Sequence, residues 1–158
     1  MMNSYSTVAH RFAAAFNTRD VDQVLACFTP DVSYRDLYYG EAAGHDQARR
    51  LFERMYAEGH HHTWTMTCVA ENPDWTIGEW TFTFTVSDAV PQSAGRTLRY
   101  HGVSVFETRQ GRCHTYREHF DRTATLLALG IRPGAVARIV LRRPSVEVIS
   151  VAPSTLYR

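Results

Sequence analysis

The stretch WTIGEWTFTFTVSD constrains the fold of this chain more than any other. Trp80, Phe82, Phe84 and Val86 alternate with Glu79, Thr81, Thr83 and Thr85. Successive side chains of a β-strand point to opposite faces, so this period of two predicts a strand with one apolar and one polar face. The same period runs on either side of it. A strand over 62–70 places His62, Trp64, Met66, Cys68 and Ala70 on one face, and threonines with Val69 on the other. After the loop AVPQSAG a long strand is expected over about 96–109, and the turn RQGR leads into a last strand over 113–121.

The first third of the chain has the helical period instead. Val8, Phe12, Ala15 and Phe16 predict an amphipathic helix over 5–17. Asp20, with Gln23 three residues on, reads as the N-cap of a second helix burying Val21, Val24, Leu25 and Phe28, with Pro30 as its stop. A short strand follows, Val32, Tyr34 and Asp36 against Ser33, Arg35 and Leu37. A third helix over 45–58 buries Ala48, Leu51, Phe52, Met55 and Tyr56, and Gly59 is expected to end it in the left-handed region. Thr123–Leu129 reads as a short closing helix before Gly130 and Pro133. Helices followed by an antiparallel meander make an α+β domain.

We expect that domain to span 1–133 and a C-terminal extension to span 134–158. Val146, Val148 and Ser150 alternate with Glu147, Ile149 and Val151, which fits an extra strand; a mobile tail fits equally. At 158 residues the chain suits one domain with a real core. A formal charge of +1 provides no field for nucleic acid or an anionic membrane, and no apolar run is long enough to span a bilayer. A cytoplasmic location is the expectation. Cys27, Cys68 and Cys113 lack any CxxC spacing and read as buried free thiols. His60, His61 and His62 superficially suggest a metal site, but three consecutive strand residues cannot all face one ion, so solvated loop residues are the preferred reading.

The segment YREHFD, Tyr116–Asp121, carries the chemistry. Period two puts Glu118 on a face with Tyr116 and Phe120, while Arg117, His119 and Asp121 point outward. A carboxyl among rings is either a structural group paired with an arginine or an acid/base group. Asp36 likewise reads either as a turn residue or as part of the same site.

FTPDVSYRDLYYGEAAGHDQARRLF and GVSVFETRQGRCHTYREHFDRTATLLALGI resemble the first-strand segment and the last hairpin with closing LxxLG helix of the SnoaL-like (NTF2-like) superfamily. Its members include polyketide cyclases, limonene-1,2-epoxide hydrolase and ketosteroid isomerase. The likeness covers residues 5–130. It implies a cone, in which a curved antiparallel or mixed sheet wraps three N-terminal helices around a deep apolar pocket. It also implies that Glu118 holds the acid/base position of the last strand, and that Tyr34 and Asp36 match the polar pair of the first. The chain departs from the hydrolases at Trp80 and Phe82, where they carry an Arg and a second Asp. It departs from the cyclases at Ser104, where they carry a histidine.

Period and resemblance together put Tyr34, Asp36, Trp80, Phe82, Phe84, Tyr100, Ser104, Tyr116, Glu118 and Phe120 on one concave face. Glu118, Asp36 and Tyr34 are the catalytic candidates and the other seven are substrate-binding. A carboxyl there loses solvation, and its pKa is expected to rise toward neutrality. The expected activity is that of a cyclase, isomerase or lyase without cofactor or metal, acting on an apolar polyketide- or terpenoid-like intermediate. An epoxide hydrolase and a non-catalytic ligand-binding module are the alternatives. A homodimer through the outward sheet face, with Val103, Val105 and threonines in the contact, follows from the resemblance.

Overall fold

The computed structural model describes residues 7–149, apart from the side chains of Thr67 and Cys68. Residues 5 and 6 of the first expected helix therefore lie outside the described residues. Thr7 caps α1 (Val8–Thr18), its hydroxyl accepting from the His10 amide. Asp20 caps α2 (Val21–Ala26), accepting from the amides of Asp22 and Gln23, while the Gln23 side chain donates back at 3.0 Å. This helix ends earlier than expected. The chain is already extended at Phe28, and Pro30 lies within β1 (Phe28–Asp36), where the register against its neighbour shifts between Phe28 and Ser33. A proline has no amide to donate, so it is tolerated where the ladder is interrupted.

Val32, Tyr34 and Asp36 of β1 are buried while Ser33 and Arg35 are exposed, as their alternation predicts. A strand not expected from the sequence, β2 (Gly40–Ala43), folds back on β1. α3 (Gly44–Glu58) buries Ala48, Leu51 and Phe52, with Met55 and Tyr56 partly buried. Gly59 caps α3 in extended backbone (φ −144°), not in the left-handed region. It is needed for closeness instead: a Cβ there would sit 2.8 Å from His62 Nε2 and 2.9 Å from the Phe84 ring. The left-handed residue is His61 (φ 53°), in the bulge where β3 (Gly59–Glu71) slips one residue against β4 (Trp75–Val86).

A second slip, between Met66 and Cys68, exchanges the faces of β3. Val69 is therefore half-buried opposite Gly78, and Ala70, expected inside, is exposed. β5 (Thr97–Arg109) and β6 (Arg112–His119) complete a six-stranded sheet of order β2-β1-β6-β5-β4-β3. Among the described residues only the β1–β6 pair is parallel, so the sheet is mixed, and it is curved and unclosed. α1 fills the concave side. Its Phe12 ring meets Phe28, Trp64 and Phe106 edge-on at 5.5, 4.9 and 5.8 Å, a preferred aromatic geometry. Cys27 and Cys113 are buried free thiols.

Asp121 caps α4 (Arg122–Ala128), accepting from the Ala124 amide at 2.8 Å. Next comes α5 (Pro133–Arg142), a helix for which the sequence reading had no element. Pro133 at its start is pre-set for a first helical turn, and Val136 is buried. The expected strand alternation falls partly on residues 146–149, which belong to no regular element, and partly on 150 and 151, outside the described residues. Among the described residues no helix is long and apolar enough to cross a membrane.

Candidate active site

The concave face encloses a cavity of about 230 Å³. Its strand wall is Asp36 from β1, Glu118 from β6, Tyr100 from β5 and Trp80, Phe82 and Phe84 from β4. Leu126, Leu129 and Ile131, around the LxxLG segment, close one side. Six of the ten residues expected in the site therefore reach the cavity surface. Tyr34, Ser104 and Tyr116 lie in the layer beneath it, and Phe120 packs behind Tyr100 at 5.2 Å and faces an outer groove.

That hidden layer holds Glu118. Trp80 Nε1 donates to Ser104 Oγ at 2.8 Å, Ser104 Oγ is 2.8 Å from the Tyr116 hydroxyl, and Tyr116 donates to Glu118 Oε2 at 2.9 Å. The first link needs Gly102. A Cβ there would lie 2.4 Å from the Trp80 ring, so only glycine lets the indole settle across β5 toward Ser104. Tyr34 stacks on Tyr116 at 4.3 Å with the rings 9° from parallel, and its hydroxyl is fully buried. It sets the Tyr116 ring and does not touch the cavity.

Glu118 and Asp36 are 5% and 6% exposed, and their carboxyls lie within interacting reach of each other. Neither forms an ion pair with an arginine, lysine or histidine among the described residues. Asp36 Oδ1 accepts from the amides of Tyr38 and Tyr39 at 2.6 and 2.7 Å, and Glu118 Oε1 accepts from the Leu37 amide at 3.2 Å. Asp36 is thus both a turn residue and a cavity residue. Burial pushes it up to about 6, held back by those two amides, by Glu118 and by the Arg143 guanidinium. Burial and the Asp36 charge push Glu118 well above the usual carboxylate range, against the Leu37 amide and the Tyr116 hydroxyl. Two carboxyls so close cannot both ionise easily. Both shifts run upward, and the larger push is on Glu118, so the pair favours holding a proton.

Sequence reasoning missed much of the opposite wall. Tyr38, Tyr39, Arg54, Met55, Glu58 and His62 line it. Tyr39 donates to Glu58 Oε2, and Arg54 Nε donates to Glu58 Oε1, both at 2.8 Å. His62 belongs to β3 and not to a solvated loop. Its half-buried ring stacks on Phe84 at 6.0 Å and 6°. The period-two pattern had put it on a face with Trp64, and the neighbouring histidines obscured that signal.

A family model described as SnoaL-like domain matches residues 9–116. Cyclase aurE of Calcarisporium arbuscula is 30% identical over 98 residues, 60% of this chain and 70% of that protein. A putative polyketide cyclase from Xanthomonas campestris pv. campestris matches in structure with a TM-score of 0.69 at 17% identity, over 77% of this chain and 93% of that one. A protein with a ketosteroid isomerase-like fold from Catenulispora acidiphila DSM 44928 matches with the same TM-score and identity, over 79% and 93%. At these identities the two structures speak for the fold alone.

Proposed function

This chain belongs to the SnoaL-like domain family, and from that premise we propose that it is a cyclase or isomerase working by acid–base catalysis on an apolar, polyketide- or terpenoid-like carbonyl compound. One observation carries the reading: two buried carboxyls without a counter-ion among the described residues open onto a cavity walled mostly by rings and aliphatic groups. Such pockets suit polycyclic ligands held by a few placed polar groups. Cyclase aurE lends support at the level of the family.

The ionised Asp36 takes a proton from the carbon beside a ligand carbonyl. The C–H electrons pass to the carbonyl oxygen, and the neutral Glu118 donates a hydrogen bond to the enolate so formed, as an acid kept protonated in an apolar site can. For isomerisation, Asp36 returns the proton to a different carbon. For ring closure, the enolate carbon bonds to a second carbonyl carbon, the new alkoxide takes the Glu118 proton, and the Asp36 proton resets Glu118. Tyr116 and Ser104 hold Glu118 in place. Trp80, Phe82, Phe84 and Tyr100 are the apolar contact surface.

Deuterium exchange into 2-tetralone, followed by proton NMR, tests this without knowledge of the natural ligand. The protein should accelerate exchange beside the carbonyl. Glu118→Gln and Asp36→Asn should each lose about 10²–10⁴ of that rate, the usual contribution of a positioned acid or base. Exchange no faster than in buffer would sink the catalytic reading. We further propose a homodimer through the outward sheet face, where Val103 is 36% exposed. A light-scattering mass of two chains at micromolar concentration is the expected result.

A further inference from the structure

His62 holds a hydrogen-bond donor that the acid–base chemistry does not use. Its Nδ1 lies 2.9 Å from Arg19 Nη1. A guanidinium only donates, so Nδ1 is the acceptor, and the single proton of the neutral ring sits on Nε2. The ring is neutral at ordinary pH because burial, Arg19, His60 and His61 push it down to about 4. Arg19 cannot easily release it. Its guanidinium also donates to the carbonyls of Tyr56 at 2.9 Å and Gly59 at 3.3 Å, and lies 5.1 Å over the Tyr56 ring.

Nε2–H has no partner among the described residues, and His62 and Gly59 are adjoining parts of the cavity lining. Gly59 keeps that side of the imidazole clear, since a Cβ there would lie 2.8 Å from Nε2. Phe84 stacked on one face, with Phe16 and Tyr56 edge-on at 5.6 and 5.5 Å, fixes the direction of the N–H. In the sheet order β3 stands three strands from β6, about 14 Å at the usual strand spacing before curvature shortens it.

We propose that His62 Nε2–H binds an oxygen acceptor of the ligand, a carbonyl, enol or quinone oxygen, at the end of the cavity remote from Asp36 and Glu118, with Arg19 as its positioning residue. This deepens the reading of the cavity above and rests on it. The ligand class is narrowed to an apolar body carrying oxygen at both ends, one for the carboxyl pair and one for the imidazole.

Two probes of one shape test it: 2-acetylnaphthalene, which presents a carbonyl acceptor, and 2-ethylnaphthalene, which does not. Calorimetry should show the acetyl compound binding about threefold to tenfold tighter, the range of one neutral hydrogen bond. His62→Phe keeps a ring on Phe84 and should abolish that preference while still binding 2-ethylnaphthalene. Arg19→Met should reduce it in part. In the unsubstituted protein, nitrogen-15 NMR of the imidazole should report the proton on Nε2, with a shift moved by the acetyl probe and not by the ethyl one. A preference that survives His62→Phe, or a proton found on Nδ1, overturns the assignment of His62 and leaves the carboxyl site standing. Failure of both probes to bind overturns it together with the cavity as a ligand site.

Discussion

Glu58 and Glu118 line the same cavity and have opposite surroundings. Glu58 stands on a helix one turn from Arg54, which donates to one carboxylate oxygen while Tyr39 donates to the other, and its side chain is 26% exposed. It has a counter-ion and water. Glu118 stands mid-sheet with a second carboxyl as its neighbour, a neutral phenol and one amide as its donors, and no counter-ion among the described residues. The two glutamates show that residue type sets what a group can do and that neighbours set what it does. A paired carboxylate anchors a wall, whereas an unpaired one beside another acid is pushed toward its protonated form.

The strongest way to break this comparison is to follow stability against pH. Asp36 has its folded pKa near 6, above its ordinary 3.8, so the folded state binds more protons between those values. Its contribution to stability is then fully present below pH 3.8 and lost as pH rises through about 6. At 1.36 kcal/mol per unit the loss is on the order of 3 kcal/mol. Denaturant titrations from pH 4 to 8 should show that decline together with the one that the raised Glu118 adds, and Asp36→Asn should make the curve shallower, removing its own part and lowering the titration of Glu118, which no longer faces a second charge. A curve unchanged by Asp36→Asn means the carboxyls do not titrate together.

A smaller effect sharpens it. Glu118→Gln should leave the melting temperature unchanged or raise it, since a desolvated carboxyl is costly to hold. A structural ion pair would give the reverse, a loss of about 3–5 kcal/mol, because a buried partner would be left unpaired. Smallest of all, Glu58→Gln should cost about 0.3–0.5 kcal/mol, the worth of a helical pair one turn apart, and salt should mask it. Salt dependence at 118, or its absence at 58, would mean the two have been assigned the wrong way round.

The legible parts of the site were those that a local pattern carries. Period two put Trp80, Phe82 and Phe84 on one face with no help from distant residues, and all three reach the cavity. The same alternation placed Asp36 and Glu118 inward, and the resemblance to a known family joined the strands that bear them. Depth within a face has no local signature. Tyr34 and Asp36 are two residues apart on one strand, yet Tyr34 is sealed under Tyr116 while Asp36 reaches the cavity. The bulges were hidden too, because an inserted residue shows itself only against its partner strand, and so Ala70 was assigned to the wrong face.

The sequence by itself determined the elements and their buried faces, because propensity, capping and period act over a few neighbouring residues. It made Asp20 a cap, α1 a stripe of phenylalanines and β4 a two-faced strand. Only the tertiary structure decided the protonation of Glu118 and the tautomer of His62. The first depends on Asp36, eighty-two positions away, and the second on Arg19, forty-three positions away. Desolvation and charge act through space, so the groups that tune a site need be near it only once the sheet has curved around them.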